Sequence, residues 1–384
     1  MKPIYVDNAA TTPLSSRVLE AMLPFFQETY GNPSSPYSLG RRAKGPLEEA
    51  REKIARCLGA ENNEIFFTSG GTESDNWAIK SAARVMACQG KRHLITTAFE
   101  HPAVLRPMEE LEREGFSVTY LPVHEDGIVR PEDLESALRP DTALVSIMYA
   151  NNEVGTVQPI AQLGAICRSH KVWFHTDAVQ AAGSVPIDVK SASIDLLSLS
   201  GHKLYGPKGV GVLYVRQGLR LPGLLEGGHQ EMSRRAGTEN VPGIVGLGAA
   251  MEEARESMET ESQRIAALRD RLIDGVLAIP GARLNGHRER RLPGIANFSF
   301  AGVEGSSLVL MLDMQGVCAA AGPACSGGKA EASHVLLAMG RSHAEARGAL
   351  RFSLGRQNTR EDVDAIIKIL PEALQRLRQL RGNL

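Results

Sequence analysis

The sequence predicts an α/β fold, with a large domain built on a mainly parallel sheet and a smaller α+β domain. Two observations lead to this prediction. Short apolar, β-rich segments alternate with segments of helical periodicity as far as about residue 250, a pattern typical of helices packed on a mainly parallel sheet. Beyond that point the pattern changes to long amphipathic stretches, and 384 residues suffice for two domains.

Several segments of the first part have the length and composition of buried strands. They are EIFFTS, HLITTAF, TALVSIMYA, VWFHT, IDLLSLS and VGVLYV. Helical periodicity fills much of the sequence between them, in NWAIKSAARVMA, AVLRPMEELERE, PEDLESALR and IAQLGAICRSH. We therefore expect the large domain to span residues 15–255.

The rest of the sequence predicts the smaller domain. MEEARESMETESQRIAALRDRLIDGVLA has the pattern of one long amphipathic helix. It is followed by GIANFSF, SSLVLMLDMQGVCA and a C-terminal helical stretch, REDVDAIIKILPEALQRLRQL. We expect residues 1–14 and 256–384 to form this domain.

Composition and charge exclude several classes of protein. The 43 basic and 44 acidic side chains nearly cancel, which argues against nucleic acid as a partner. The N-terminus has no apolar segment typical of a signal peptide, and no apolar run of 18 residues predicts a membrane span. Five cysteines without a CxxC pair argue against a disulfide framework or a zinc site and favour the reducing cytoplasm.

Polar residues gather where five of the predicted strands end. If these strands are parallel, their carboxyl ends share one edge of the sheet, where open α/β sheets bind ligands. The residues, in chain order, are Gly70, Gly71, Thr72, Glu100, His101, Asn151, Asn152, Asp177, Gln180, Ser200, His202 and Lys203.

The chemistry of these residues predicts a cofactor site. The turn SGGTES, which runs into a helix, suits a phosphate, although capping of that helix by Thr72 is the simpler alternative. Asp177 follows an apolar strand, where a buried carboxylate needs a cation or a donor. Lys203 is a candidate phosphate ligand, solvated side chain or nucleophile. A phosphate turn, a carboxylate and a lysine on one edge together favour pyridoxal 5'-phosphate.

A series of motifs extends this interpretation over most of the chain. The sequence resembles the NifS-type cysteine desulfurases, which are fold-type I pyridoxal-phosphate-dependent transferases of the class V aminotransferase family. The resemblance runs from about residue 4 to residue 356, with the motifs in the same order. They are YVDNAATTPL, YGNPSS, FFTSGGTESDN, EHPAV, NNEVGTVQPI, FHTDAVQAAG, SLSGHKLYGPKGVG, RRAGTENVPGIVGLG, ASHVLLAMG and LRFSLGR.

The resemblance implies a cofactor role for each matched residue. Lys203 would bind the cofactor covalently, Asp177 would pair with the ring nitrogen, and His101 would stack on the ring and serve in proton transfer. Gln180 and Asn152 would lie on the ring-oxygen side. The phosphate ligands would be Gly71, Thr72, Ser200, His202 and, from a partner subunit, Thr238. The contribution of Thr238 across a subunit boundary implies a homodimer.

The resemblance also implies the reaction. Arg351 and Asn152 would bind the carboxylate of L-cysteine, and Lys203 and His101 would act as catalytic residues with Cys325. Cys325 would take the substrate sulfur as a persulfide and leave L-alanine. The sulfur would pass to an acceptor or scaffold protein, for iron–sulfur clusters or thio-cofactors.

Some features of the sequence leave alternatives open. The segment AGPACSGG departs from the serine-rich pattern of the family at Pro323, and Ala332 stands where a proline is usual. Cys318 has no family role, and we expect it to fill core volume. A selenocysteine lyase, another pyridoxal-phosphate-dependent lyase or aminotransferase, and a non-catalytic sulfur-relay scaffold remain alternative functions, the scaffold being disfavoured by the intact motifs.

Overall fold

The strands form one large sheet and two small ones in the computed structural model, which describes residues 3–322 and 332–382. In chain order they are β1 (Ile4–Tyr5), β2 (Ile65–Thr68), β3 (His93–Thr97), β4 (Ser117–Leu121), β5 (Thr142–Ser146), β6 (Trp173–Asp177), β7 (Leu196–Ser200), β8 (Gly211–Val215), β9 (Ala282–Asn285), β10 (Ile295–Phe300), β11 (Val317–Cys318) and β12 (Ala349–Ser353).

Helices cover the sheets and connect them. They are α1 (Ser16–Met22), α2 (Pro24–Gln27), α3 (Ser38–Leu58), α4 (Gly71–Ala87), α5 (Pro102–Arg113), α6 (Pro131–Ala137), α7 (Ile160–Ser169), α8 (Gln230–Ser233), α9 (Val241–Leu277), α10 (Gly305–Asp313), α11 (His334–Ala338), α12 (His343–Arg347) and α13 (Arg360–Gly382). In the described part of the chain no helix combines the length and apolarity that a membrane span requires.

The large sheet has the strand order β2-β8-β7-β6-β5-β3-β4. All pairs are parallel except those of β8, which is antiparallel to both β2 and β7. The prediction of a mainly parallel sheet is therefore confirmed, and β2, β3, β5, β6 and β7 run in one direction. Helices bury both faces of this sheet. The sequences of its strands are therefore continuous apolar runs rather than alternating apolar and polar residues.

Several elements were not predicted from the sequence, among them β1, β4, β9, β12 and the long helix α3. In the edge strand β4 only Leu121 is buried, so β4 lacks the continuous apolar run by which the central strands were predicted. Helix α9 begins at Val241, before the predicted amphipathic stretch, with Asn240 as its N-cap. Its first turns contain glycines because they pack tightly: a Cβ on Gly248 would lie 2.8 Å from the Cβ of Ala50.

Helix α9 connects the two principal cores of the chain. Its first half, with Ile244 and Leu247, packs in the core of the large sheet. Its second half, with Leu272 and Val276, packs against β10, β12 and α13 in the core of the smaller antiparallel sheet β12-β10-β9. The proposed domain boundary after residue 255 falls within α9 and stays a prediction.

The core of the small sheet provides a test of this packing. Phe298 is fully buried, and its ring centroid lies 6.2 Å from those of Phe300 and Phe352. We expect Phe298→Ala to lower the free energy of unfolding by about 3–5 kcal/mol, because it removes apolar contacts and leaves a cavity. Leu310→Ala, at an exposed position of α10, is the control and should change the free energy of unfolding by less than about 0.5 kcal/mol. Thermal denaturation of both variants measures the difference; equal melting temperatures would contradict the assignment of Phe298 to this core.

Candidate active site

The carboxyl ends of the parallel strands open into a cavity of about 400 Å³. Ten of the twelve predicted site residues line it, namely Gly71, Thr72, His101, Asn152, Asp177, Gln180, Ser200, His202, Lys203 and Arg351. Thr238 does not line this cavity and is exposed at the surface of the subunit. Cys325 lies outside the described residues.

The predicted phosphate turn forms the amino terminus of α4. Gly70 is the N-cap and no side chain caps the helix, so the alternative in which Thr72 caps it is wrong. A Cβ on Gly71 would lie 2.6 Å from Cγ2 of Val179, so a larger residue would push the turn away from the loop after β6. The amino terminus of a helix beside the Ser200 and Thr72 hydroxyls is a suitable anion site.

Lys203 ends a 3-10 turn, Gly201–Lys203, directly after β7. Its Nζ donates hydrogen bonds to the backbone carbonyl oxygens of Ala9 (2.6 Å) and Ala10 (2.7 Å). The N-terminal segment therefore forms part of the site. This segment belongs to the motif YVDNAATTPL, but its role here was not predictable from the sequence, because a backbone carbonyl leaves no signature in the residue type.

Two carboxyl groups are buried at the ends of β6 and α4. Oδ1 of Asp177 accepts a hydrogen bond from the backbone N–H of Val179 at 2.9 Å. Burial raises the pKa of Asp177, and the nearby charges of His101 and Lys203 oppose this rise. Asp75, which was not predicted from the sequence, also lines the cavity, and its Oδ1 has no hydrogen-bond partner within residues 3–322 and 332–382. Burial and the charge of Asp177 raise the pKa of Asp75 well above its usual value.

Two of the three histidines that line the cavity have a lowered pKa. Burial lowers the pKa of His101, and the neighbouring Lys203 and His334 lower it further against the opposing effect of Asp177. Burial and Lys203 lower the pKa of His202 to about 4. Nδ1 of His101 accepts the backbone N–H of Ala103 at 3.1 Å, so the proton of the neutral ring is on Nε2.

Arg351 on β12 brings a guanidinium from the small sheet into the cavity. Its Nη1 donates to the carbonyl oxygen of Asn152 at 2.9 Å, and its Nη2 contacts Oδ1 of Asp7 at 2.6 Å. Its buried Nε has no hydrogen-bond partner among the residues that the structure describes. A buried guanidinium fixed on two sides and unsatisfied on the third can bind one more carboxylate oxygen.

The described residues on both sides of the Cys325 region contact residues that line this cavity. The backbones of Ala320 and Arg351 exchange hydrogen bonds of 3.1 and 2.7 Å. After the undescribed residues 323–331, Ser333 donates to Oε2 of Glu153 at 2.6 Å, and His334 lines the cavity. Cys318 is half-buried on β11, outside the cavity lining, with a pKa raised by burial.

The donor set fits pyridoxal phosphate. The amino terminus of a helix, flanked by hydroxyls, suits the phosphate, and a buried carboxylate suits a protonated ring nitrogen. The lysine that lines the same cavity can bind an aldehyde carbon. Within residues 3–322 and 332–382 no cluster of three or more histidine, cysteine or acidic side chains has the arrangement of a metal site.

Comparison with known proteins gives long matches. A cysteine desulfurase IscS of Methanosarcina thermophila is 54% identical over 379 residues, which cover 99% of this chain and 94% of that protein. A solved NifS-like protein is 42% identical with a TM-score of 0.92, covering 98% of this chain and all of that one. SspA, solved in complex with cysteine, is 39% identical with a TM-score of 0.82 and covers 91% of this chain and 98% of that one.

The family model described as aminotransferase class-V matches residues 4–366, which is nearly the whole chain. The chain therefore belongs to the class-V aminotransferase family.

Proposed function

We infer that this protein is a pyridoxal-phosphate-dependent cysteine desulfurase, which converts L-cysteine to L-alanine and takes the sulfur on Cys325. The observation that carries this inference is the lining of one cavity by Lys203, Asp177 and Arg351, which supply a nucleophilic amine, a carboxylate for a cationic ring and a carboxylate receptor. Sequence identity of about one half to proteins named cysteine desulfurase, over nearly the full chain, supports the same reaction.

The cofactor would be held by the residues of the sheet edge. We propose Gly71, Thr72, Ser200 and His202 for the phosphate, Asp177 for the ring nitrogen, Gln180 and Asn152 for the ring-oxygen side, and Lys203 for the covalent bond. When bound, the cofactor supplies an electron sink that weakens bonds at the substrate α- and β-carbons. The neutral ring of His101 can stack on the cofactor without adding positive charge.

The chain's own side chains would bind the substrate and move its protons. Arg351 has a buried, unsatisfied Nε for the substrate carboxylate, beside the backbone of Asn152. Lys203 and His101 line the same cavity and are the candidates to move the proton of the substrate α-carbon.

Cys325 would complete the reaction as a thiolate. It attacks the substrate sulfur, the electron pair of the carbon–sulfur bond stays on carbon, and a proton completes alanine, so cysteine and the enzyme thiol give alanine and a persulfide. The backbone hydrogen bonds of Ala320 with Arg351 and the place of His334 in the cavity lining support this role, because these described residues flank the Cys325 segment on its two sides.

The assembly, partners and location are part of the same proposal. We propose a homodimer in which Thr238 reaches the cofactor phosphate of the partner subunit, since Thr238 is exposed and absent from its own cavity. Exposed apolar side chains at α1, α2 and the following turn, namely Leu19, Leu23, Phe26 and Tyr30, offer surface for such an interface. We also propose a sulfur-acceptor or scaffold protein as partner and a cytoplasmic location, supported by the free thiols of the described cysteines.

Lys203 is tested by reduction. Borohydride treatment of the holoenzyme should fix the cofactor to the peptide that contains Lys203, as shown by mass spectrometry after digestion, because the reduced carbon–nitrogen bond no longer hydrolyses. Lys203→Ala should lack this adduct and the yellow colour of the bound cofactor. A reducible covalent adduct retained in Lys203→Ala would contradict the assignment.

Cys325 is tested against a second cysteine. Cys325→Ser should keep the bound cofactor and the spectral change on adding L-cysteine, but lose the persulfide and nearly all alanine production, because a serine hydroxyl is a poor sulfur acceptor. Cys318→Ser is the matched control and should keep both, since Cys318 lies outside the cavity lining. Alanine formation by Cys325→Ser at the parental rate would favour a lyase that needs no enzyme thiol.

The homodimer is tested by light scattering at assay concentration. The holoenzyme should have the mass of two 41.4 kDa chains. Thr238→Ala should bind pyridoxal phosphate more weakly without losing the dimer, because it removes one hydroxyl and no apolar surface. A fully active monomer is the result that would overturn this part of the proposal.

A further inference from the structure

The segment before Thr238 has an unfavourable backbone conformation. Glu231, Met232 and Ser233 are consecutive, and all three have left-handed φ angles, of 47°, 57° and 62°. Residues other than glycine adopt this conformation when surrounding contacts hold them there, and such segments concentrate at functional sites. The contacts that hold this segment in place are therefore a guide to its function.

The first contact is a buried ion pair between Glu231 and Arg51. The two carboxylate oxygens of Glu231 lie 2.9 Å from Nη1 and Nη2 of Arg51, and the side chains are 3% and 5% exposed. Glu231 also accepts the backbone N–H of Phe67 at 2.8 Å, while Arg51 donates to the carbonyl oxygen of Ile65 at 2.7 Å. Both partners are thus bound to β2, the strand that leads into the phosphate turn.

The second contact is made to the phosphate turn itself. Arg235 binds Glu73 in the first turn of α4 through two hydrogen bonds of 2.8 and 3.1 Å. Oε2 of Glu73 also accepts the backbone N–H of Ser69, the residue before the glycines, at 2.9 Å. Between the two ion pairs, the guanidinium of Arg234 lies 4.9 Å from the ring centroid of Phe66 on β2.

Thr238 is therefore held from both sides. Arg235 lies three residues before Thr238, and Asn240 lies two residues after it. The side chain of Asn240 accepts the backbone N–H of Gly243 and caps α9. The residues anchored before Thr238, Glu231 and Arg235, contact the same strand and turn that would hold this subunit's own cofactor phosphate.

We propose that the ion pairs Glu231–Arg51 and Arg235–Glu73, here called the Glu231–Arg235 clamp, position Thr238 for the partner subunit and link cofactor binding to dimer assembly. The inference rests on the proposed homodimer. Because the clamp contacts its own phosphate turn, a cofactor that orders this turn also orders the segment offered to the partner. By reciprocity, dimer formation then strengthens cofactor binding by the same factor by which the cofactor strengthens the dimer.

The experiment compares two buried carboxylates with similar partners. Glu231→Gln removes the charge of the clamp. The control is Asp195→Asn, because Asp195 also accepts a backbone N–H (Phe174, 2.9 Å) and an arginine (Arg216, 2.5 Å), but precedes β7 at the edge of the sheet opposite the cavity. The measurements are the dissociation constant for pyridoxal phosphate, from absorbance titration, and the dimer dissociation constant with and without cofactor, from sedimentation.

The clamp predicts different results for the two variants. Glu231→Gln should weaken cofactor binding by about tenfold or more and abolish the tightening of the dimer by the cofactor, since a buried guanidinium loses its counter-charge. Asp195→Asn should lower the melting temperature but keep both dissociation constants within about twofold of the parental values, since distant sites act independently. Equal loss of cofactor affinity in both variants would show a general effect on stability and overturn the proposal.

A second variant decides the case in which Glu231→Gln does not fold. Arg235→Lys keeps the charge at a partly exposed position but loses the bidentate contact with Glu73. It should weaken cofactor binding and reduce the effect of the cofactor on the dimer, and parental behaviour in both measurements would overturn the clamp. The failure of the clamp is distinguishable from the failure of the proposed function. If the parental protein is a dimer and Thr238→Ala weakens cofactor binding while the clamp variants do not, the proposed function stands and the clamp proposal is wrong.

Discussion

Five strands that run in one direction determine where the chemistry of this protein lies. Because β2, β3, β5, β6 and β7 are parallel to one another, the residue that follows each strand lies on the same edge of the sheet. The cavity, the phosphate turn and Lys203 all depend on this alignment. Reversing any one of these strands would carry its polar end to the opposite edge.

The cavity concentrates polar groups that are buried at some cost in stability. Asp75 Oδ1 and Arg351 Nε have no hydrogen-bond partner within the described chain, although both are buried. Glu100 lies outside the cavity lining but next to His101, and burial raises its pKa to about 8, despite hydrogen bonds from Thr97 and from the backbone of Met148. The stabilisation from the protonated Glu100 is complete below its usual pKa of 4.5 and is lost as the pH rises through about 8.

Segments distant in sequence complete the site that the large sheet begins. The N-terminal residues Ala9 and Ala10 accept hydrogen bonds from Lys203, while Asp7 contacts Arg351. Arg351 itself comes from β12 of the small sheet. The proposed carboxylate receptor, Arg351, and the proposed cofactor lysine, Lys203, thus come from different sheets, and the N-terminal segment contacts both.

The sequence by itself determined the direction of the main sheet, its buried strands and the polar residues at their ends. This was possible because burial on both faces leaves apolar runs, and because Asp177 and Lys203 are unusual residues directly after such runs. The roles of Arg351 and Thr238 came from the resemblance alone, since a single arginine or threonine has no local signature.

Only the tertiary structure decided which distant groups meet. It brought Asp75 and the carbonyl oxygens of Ala9 and Ala10 into the cavity, and it showed that Gly70 rather than Thr72 caps α4. It also paired Glu231 with Arg51, which lies 180 residues away in the sequence. These contacts depend on packing between elements, and packing depends on shape and distance in three dimensions, which residue types and their spacing do not encode locally.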